Sequence, residues 1–138
     1  MKAVLDSFSV LAFFFGEPGM PVVRDWLHKA NRNECKLLLC SINWAEAGYI
    51  TIRKCGQRKW DFVQQALDEL PIEIVDADRD LAAYAIRLKT HGGISLADAF
   101  AGALAMREKA VLLTGNPEFR TLESKVTVTW ITPPSDSH

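Results

Sequence analysis

Five short apolar runs, separated by helix-length amphipathic stretches, narrow most sharply what this chain can become. They are Lys2–Leu5, Lys36–Cys40, Ile72–Val75, Ala110–Thr114 and Val126–Ile131. The first four are largely continuous aliphatic sequence, as expected of strands covered on both faces. The last alternates Val126, Val128 and Trp130 with Thr127 and Thr129, which predicts a half-exposed edge strand. Between the runs, helices are predicted at Val10–Phe15, Met20–Asn31, Trp44–Lys54, Arg58–Leu70, Arg79–Thr90 and Leu96–Lys109, with a short turn of helix from Pro117. Gly16 with Pro18, Gly56, Pro71 and Gly92-Gly93 mark the stops. Strands that alternate with helices require crossover connections. The expected fold class is therefore α/β, with helices on both faces of a parallel sheet.

At 138 residues the chain fits one domain and buries roughly 68% of its unfolded surface. The expected domain covers residues 1–132, and 133–138 reads as a disordered tail. A net charge of −1 gives no global positive field, which argues against a general nucleic-acid coat protein. A local basic cluster can still contact phosphates. The densest is Lys54, Arg58 and Lys59 in "RKCGQRKW", either a solvated corner between helices or the edge of an RNA groove. Arg87, Lys89 and Arg107 are weaker candidates of the same kind. Cys35, Cys40 and Cys55 are odd in number and lack zinc-site spacing, so free buried thiols in a reducing, cytoplasmic setting are expected. His28, His91 and His138 share no ligand spacing. No run approaches the ~18 apolar residues of a membrane span.

Four polar residues fall where a ligand would meet an open α/β sheet, near the carboxyl ends of strands. Asp6 ends the first run, and Glu46 in "SINWAEAGY" follows the second. Asn116 in "LLTGNPEF" follows the fourth, while Asp98 in "GISLADAFAGALA" opens the helix leading into it. Each also has a plainer explanation. Ser95–Asp98 and Asn43–Glu46 have capping-box spacing, Asp6 or Ser7 can cap the helix at Val10, and Asn116 before Pro117 has the form of a cap. Asp76, Asp78 and Asp80 read only as caps. What favours a site is that Glu46 and Asp98 lie among small and apolar neighbours, where an uncompensated carboxylate is costly. Acids gathered there repel one another unless a cation joins them, and magnesium or manganese suits an all-oxygen site.

The pieces "LDSFSVLAFF", "INWAEAGYI", "ISLADAFAGALA" and "LLTGNPEF", in that order and spacing, resemble a PIN-domain ribonuclease, most of all the VapC-type toxin of bacterial toxin–antitoxin pairs. The likeness runs from about Val4 to Trp130. It implies a PIN-like three-layer α/β/α fold around a five-stranded, mostly parallel sheet. It also implies divalent metal, magnesium or manganese, at Asp6, Glu46 and Asp98. The family usually carries a fourth acid where this chain has Asn116. Thr114 and Ser7 match the family's hydroxyl beside that acid and its small residue after the first.

The activity implied is endoribonuclease: a metal-activated water attacks an RNA phosphodiester, leaving a 5′-phosphate, with Asn116 orienting a water or offering its carbonyl oxygen. A catalytically weakened PIN domain that binds RNA or protein is the alternative that Asn116 raises. A receiver-like signalling domain fits worse, because Asp6 is followed by Ser7-Phe8 rather than by a second acid. The resemblance further implies a homodimer and a cognate antitoxin partner. Phe13-Phe14-Phe15 cannot all face one core from a short helix. With Trp26, Trp44 and Tyr49 they form either an exposed apolar interface or ordinary core.

Overall fold

The computed structural model describes residues 1–133, so all but the first residue of the predicted tail lies outside the described residues. The five strands are β1 (Lys2–Leu5), β2 (Lys36–Cys40), β3 (Ile72–Val75), β4 (Val111–Thr114) and β5 (Val128–Trp130). They form one sheet in the order β3-β2-β1-β4-β5, with every neighbouring pair parallel. The helices are α1 (Ser7–Phe14), α2 (Met20–Asn31), α3 (Ser41–Cys55), α4 (Gln57–Glu69), α5 (Arg79–His91) and α6 (Leu96–Glu108), followed by a 3-10 helix at Pro117–Leu122.

Strand alternation divides the core between the two faces of the sheet. Ala3, Leu5, Leu37, Leu39 and Leu113 point to one side, where they pack with Val10, Trp26, Leu27, Trp60, Val63 and Leu67. Val4, Leu38, Cys40 and Leu112 point to the other, against Leu81, Leu88, Leu104, Phe119 and Leu122. This is the expected three-layer α/β/α arrangement. Helix α6 is buried through most of its length, and its small residues Ala99, Ala101, Gly102, Ala103 and Ala105 let it lie close to the sheet. A Cβ at Gly102 would come within 2.9 Å of Leu88 Cδ1, so the packing against α5 excludes even alanine without a shift.

Several expectations are corrected. β3 is not covered on both faces: it is an edge strand, and Glu73 and Ile74 are exposed. β5 is the other edge but spans only Val128–Trp130, all half-buried. Helices α1 and α3 each start three residues earlier than predicted, because the strand before each turns into helix with almost no linker. Asn43 therefore sits buried inside α3 and caps nothing; its Nδ2 donates to the Ala97 carbonyl oxygen instead. Of Asp76, Asp78 and Asp80, only Asp78 caps, accepting from Leu81 N. Trp26 belongs to the core, and Phe13, Phe14 and Trp44 are half-buried against the same core. Tyr49 alone of that proposed patch is truly exposed, at 51%. Cys35 and Cys40 are buried as expected, while Cys55 is exposed. No helix among the described residues is long and apolar enough to cross a membrane.

Candidate metal centre at the sheet switch point

The strand order sets the position of the site. From β1 the chain steps outward to β2 and β3, then returns to lay β4 on the other side of β1. The direction of winding reverses between β1 and β4, and crevices of open α/β sheets form at such a point. Leu5 pairs with Leu113, so Asp6, just past β1, and Thr114, the last residue of β4, stand side by side. Thr114 Oγ1 donates to Asp6 Oδ2 at 2.5 Å, and Ser9 N donates to Asp6 Oδ1 at 2.8 Å. Asp6 is thus both the cap of α1 and a carboxylate at the switch point; the two readings coexist in one side chain. It is 1% exposed, and burial pushes its pKa up to about 7 against the lowering effect of those two bonds.

Asp98 arrives from the first turn of α6. Its backbone N–H donates to Ser95 Oγ, so Ser95 caps the helix as the spacing implied. Burial raises its pKa to about 6, and the charges of Glu46 and Glu118 push in the same direction. Glu46, in the second turn of α3, accepts a hydrogen bond from Ser7 Oγ at the start of α1. Both polar atoms of the Asn116 amide are engaged. Its Oδ1 accepts from Glu118 N at 3.0 Å, and its Nδ2 donates to Asp98 Oδ2 at 3.1 Å. Its own N–H donates to Thr114 Oγ1. The amide is oriented by chemistry, since a backbone N–H needs the oxygen and a carboxylate needs the NH₂. Its carbonyl oxygen therefore serves as a cap in this structure.

Ser7, Glu46, Asp98 and Asn116 line one cleft of about 280 Å³ with Phe8, Leu11, Ile50, Ser95 and Glu118. Asp6 and Thr114 stand behind it. Glu118 is the residue that sequence reasoning missed, although it lies inside the quoted "LLTGNPEF", two positions past Asn116. Gly115 keeps the wall close: a Cβ there would lie 2.3 Å from Phe8 Cε1. The basic residues stand apart from this cleft. Lys54 and Arg58 are exposed on the α3–α4 corner, and Lys59 lays its ammonium over the Phe15 and Phe62 rings.

The donors suit a hard divalent cation. They are oxygen atoms only, and no lysine, arginine or histidine lines the cleft to neutralise them. The carboxylates are not drawn into a tight cage: each leans on its own hydroxyl or amide, and no three acids group at metal-binding distance among the described residues.

Comparison with known proteins agrees with this architecture. The PIN domain family model matches residues 3–125. No curated protein matches the chain. Among solved structures, VapBC2 from Rickettsia felis bound to a promoter DNA fragment superposes with a TM-score of 0.77 at 18% identity, covering 94% of this chain and 98% of that one. The DNA-bound VapBC of Salmonella typhimurium gives a TM-score of 0.75 at 14% identity, covering 95% and 98%. VapC20 of Mycobacterium tuberculosis, described as a sarcin-ricin loop cleaving toxin, gives 0.69 at 11% identity, covering 91% and 96%.

Proposed function

The chain belongs to the PIN-domain family, and from that premise we propose that it is a divalent-metal-dependent endoribonuclease, the toxin half of a toxin–antitoxin pair. The observation that carries the reading is a pair of buried carboxylates at the switch point, Asp98 lining a cleft that no cation lines and Asp6 behind it at the end of β1. Asp6, Asp98 and Glu46 would hold one magnesium or manganese ion, with Glu118 in place of the acid missing at Asn116. When bound, such an ion lowers the pKa of a water and offsets charge on a phosphate.

The chain's own groups prepare the site. Thr114 and the Ser9 N–H fix both oxygens of Asp6. The Ser7 hydroxyl turns Glu46, and the Asn116 amide turns Asp98. These four holds leave few rotamers to freeze when an ion or a phosphate enters. Phe8, Leu11 and Ile50 form an apolar wall that excludes bulk water from one side of the cleft.

The substrate class is RNA, a reading supported by the described activity of VapC20. The VapBC complexes among the structural relatives support an antitoxin partner, and a homodimer is proposed with it. The buried thiols suit a reducing cytoplasm. The alternative, a weakened PIN domain that binds without cutting, draws on Asn116 and on the spread of the acids. Incubating the purified chain with single-stranded RNA and manganese, with and without a chelator, separates the two. The proposal expects chelator-sensitive fragments carrying 5′-phosphate and 3′-hydroxyl ends. Cyclic phosphate ends, or no fragments at any manganese concentration, would remove it.

A further inference from the structure

Helix α3 carries a stripe that leads away from the acids. Glu46, Tyr49, Ile50, Arg53 and Lys54 are spaced at intervals of three and four, which places them on one face. Glu46 and Ile50 line the acid cleft. Ile50 also lines a second groove, of about 350 Å³, with Tyr49, Arg53 and Lys54. The two hollows are therefore neighbours that share Ile50 as a wall. From Glu46 to Lys54 the stripe runs about 12 Å at the helical rise of 1.5 Å per residue.

Its chemistry changes in order along that length. Acids come first, then the exposed ring of Tyr49, then two exposed cations. Neither Arg53 nor Lys54 has a hydrogen-bond or ion-pair partner among the described residues. By contrast Lys2, Arg32 and Arg107 are each paired with acids. Nor does Tyr49 stack on another ring, although Trp44 in the same helix packs edge-on against Trp60. An aromatic face beside unpaired cations in an open groove is what a single strand needs, because any base can stack and any phosphate can pair.

We propose that this face of α3 is a track for single-stranded RNA, with Tyr49 stacking a base and Arg53 and Lys54 holding phosphates beyond the one at the acids. The track rests on the ribonuclease reading for its choice of substrate. The geometry adds a direction to it: a strand whose scissile phosphate sits at Asp98 passes Tyr49 before it reaches the cations. A protein segment is the other conceivable occupant, and the salt dependence of binding distinguishes it.

The test is fluorescence anisotropy with a labelled single-stranded RNA of about 12 nucleotides, within the usual site sizes of such grooves. The full chain is used as Asp98→Asn, so that bound RNA is not consumed. Adding Arg53→Ala with Lys54→Ala should weaken binding roughly tenfold. It should also reduce the slope of log affinity against log salt by about 1.4, at about 0.7 per lost phosphate contact. Tyr49→Ala should weaken binding roughly tenfold with the slope unchanged, and Tyr49→Phe should restore it. Unchanged affinity and slope in the double variant would overturn the track and leave the face to a protein partner. If the otherwise unaltered chain binds RNA through these residues but cuts none, the track stands and the nuclease reading falls.

Discussion

Asp6 links more of this molecule than any other residue. It caps α1, accepts the Thr114 hydroxyl across the switch point, and sets a buried carboxylate behind the cleft. Its burial has a consequence for pH. Its folded pKa, about 7, lies above the ordinary 3.8, and Asp98 is shifted the same way to about 6. Between pH 4 and 7 the folded state therefore holds more protons than the unfolded one, and stability falls as pH rises through that window. The metal-free protein should melt at a higher temperature at pH 5.5 than at pH 8. Asp6→Asn should flatten that profile and raise the pH 8 melting temperature. A flat profile in the unaltered protein would mean that Asp6 is not buried as a charge. Asn116 supplies a second test. Asn116→Asp replaces an amide that donates to Asp98 with a like charge, so it should destabilise the metal-free protein at pH 8. It should also lower the manganese concentration needed for half-maximal cleavage, since a further carboxylate attracts a hard cation. Identical manganese curves would leave Asn116 a cap and no more. Asp6, Asp98 and Asn116 were legible as candidates because each stands at the end of an element, and Glu46 because it follows the second strand among small and apolar neighbours. Glu118 was not, since an acid in the first turn of a short helix looks like any dipole partner.

The elements themselves were read well wherever sequence and packing coincide. β1, β2 and β3 have the predicted bounds because aliphatic runs end abruptly at polar residues. The starts of α1 and α3 were missed because Ser7 reads as a cap for a helix at Val10 and Ser41 as linker, whereas each strand passes straight into helix. That directness holds Glu46 and Ser7 close enough to bond. Helix α6 has the same duty at its first turn, where Ser95 fixes the backbone that carries Asp98. Ser95→Ala should cost about 1 kcal/mol of stability in urea denaturation, the usual loss for a helix cap. It should also raise the manganese requirement for cleavage, with Ser95→Thr restoring both. Asp78→Ala removes the comparable cap of α5, together with an exposed ion pair to Arg107 in the last turn of α6, and serves as the control. It should cost similar stability and leave the manganese requirement alone. Equal effects on manganese from both variants would mean that general loosening, not the placement of Asp98, sets the metal affinity.

At the scale of the whole molecule, strand order is what the sequence pattern leaves open. Alternating strands and helices predict a parallel sheet, yet they do not say which strand lies beside β1. The observed order, β3-β2-β1-β4-β5, makes β3 an edge and sets β4 against β1. That single arrangement brings Thr114 and Asn116 to the acids of β1, α3 and α6, which lie far apart in sequence. The central claim is that the switch point binds a divalent ion through these acids in order to cut RNA. It is tested most directly by one manganese titration, read together by thermal stability and by cleavage, with the unaltered chain beside Asp98→Asn. The account predicts that manganese at a hundredfold its dissociation constant stabilises the unaltered chain by about 2.7 kcal/mol, with cleavage rising over the same range. It predicts that Asp98→Asn loses both responses while melting, without metal at pH 8, no lower than the unaltered chain. An unaltered chain whose stability manganese does not move, or an Asp98→Asn chain that binds manganese and cuts RNA as well, would contradict it.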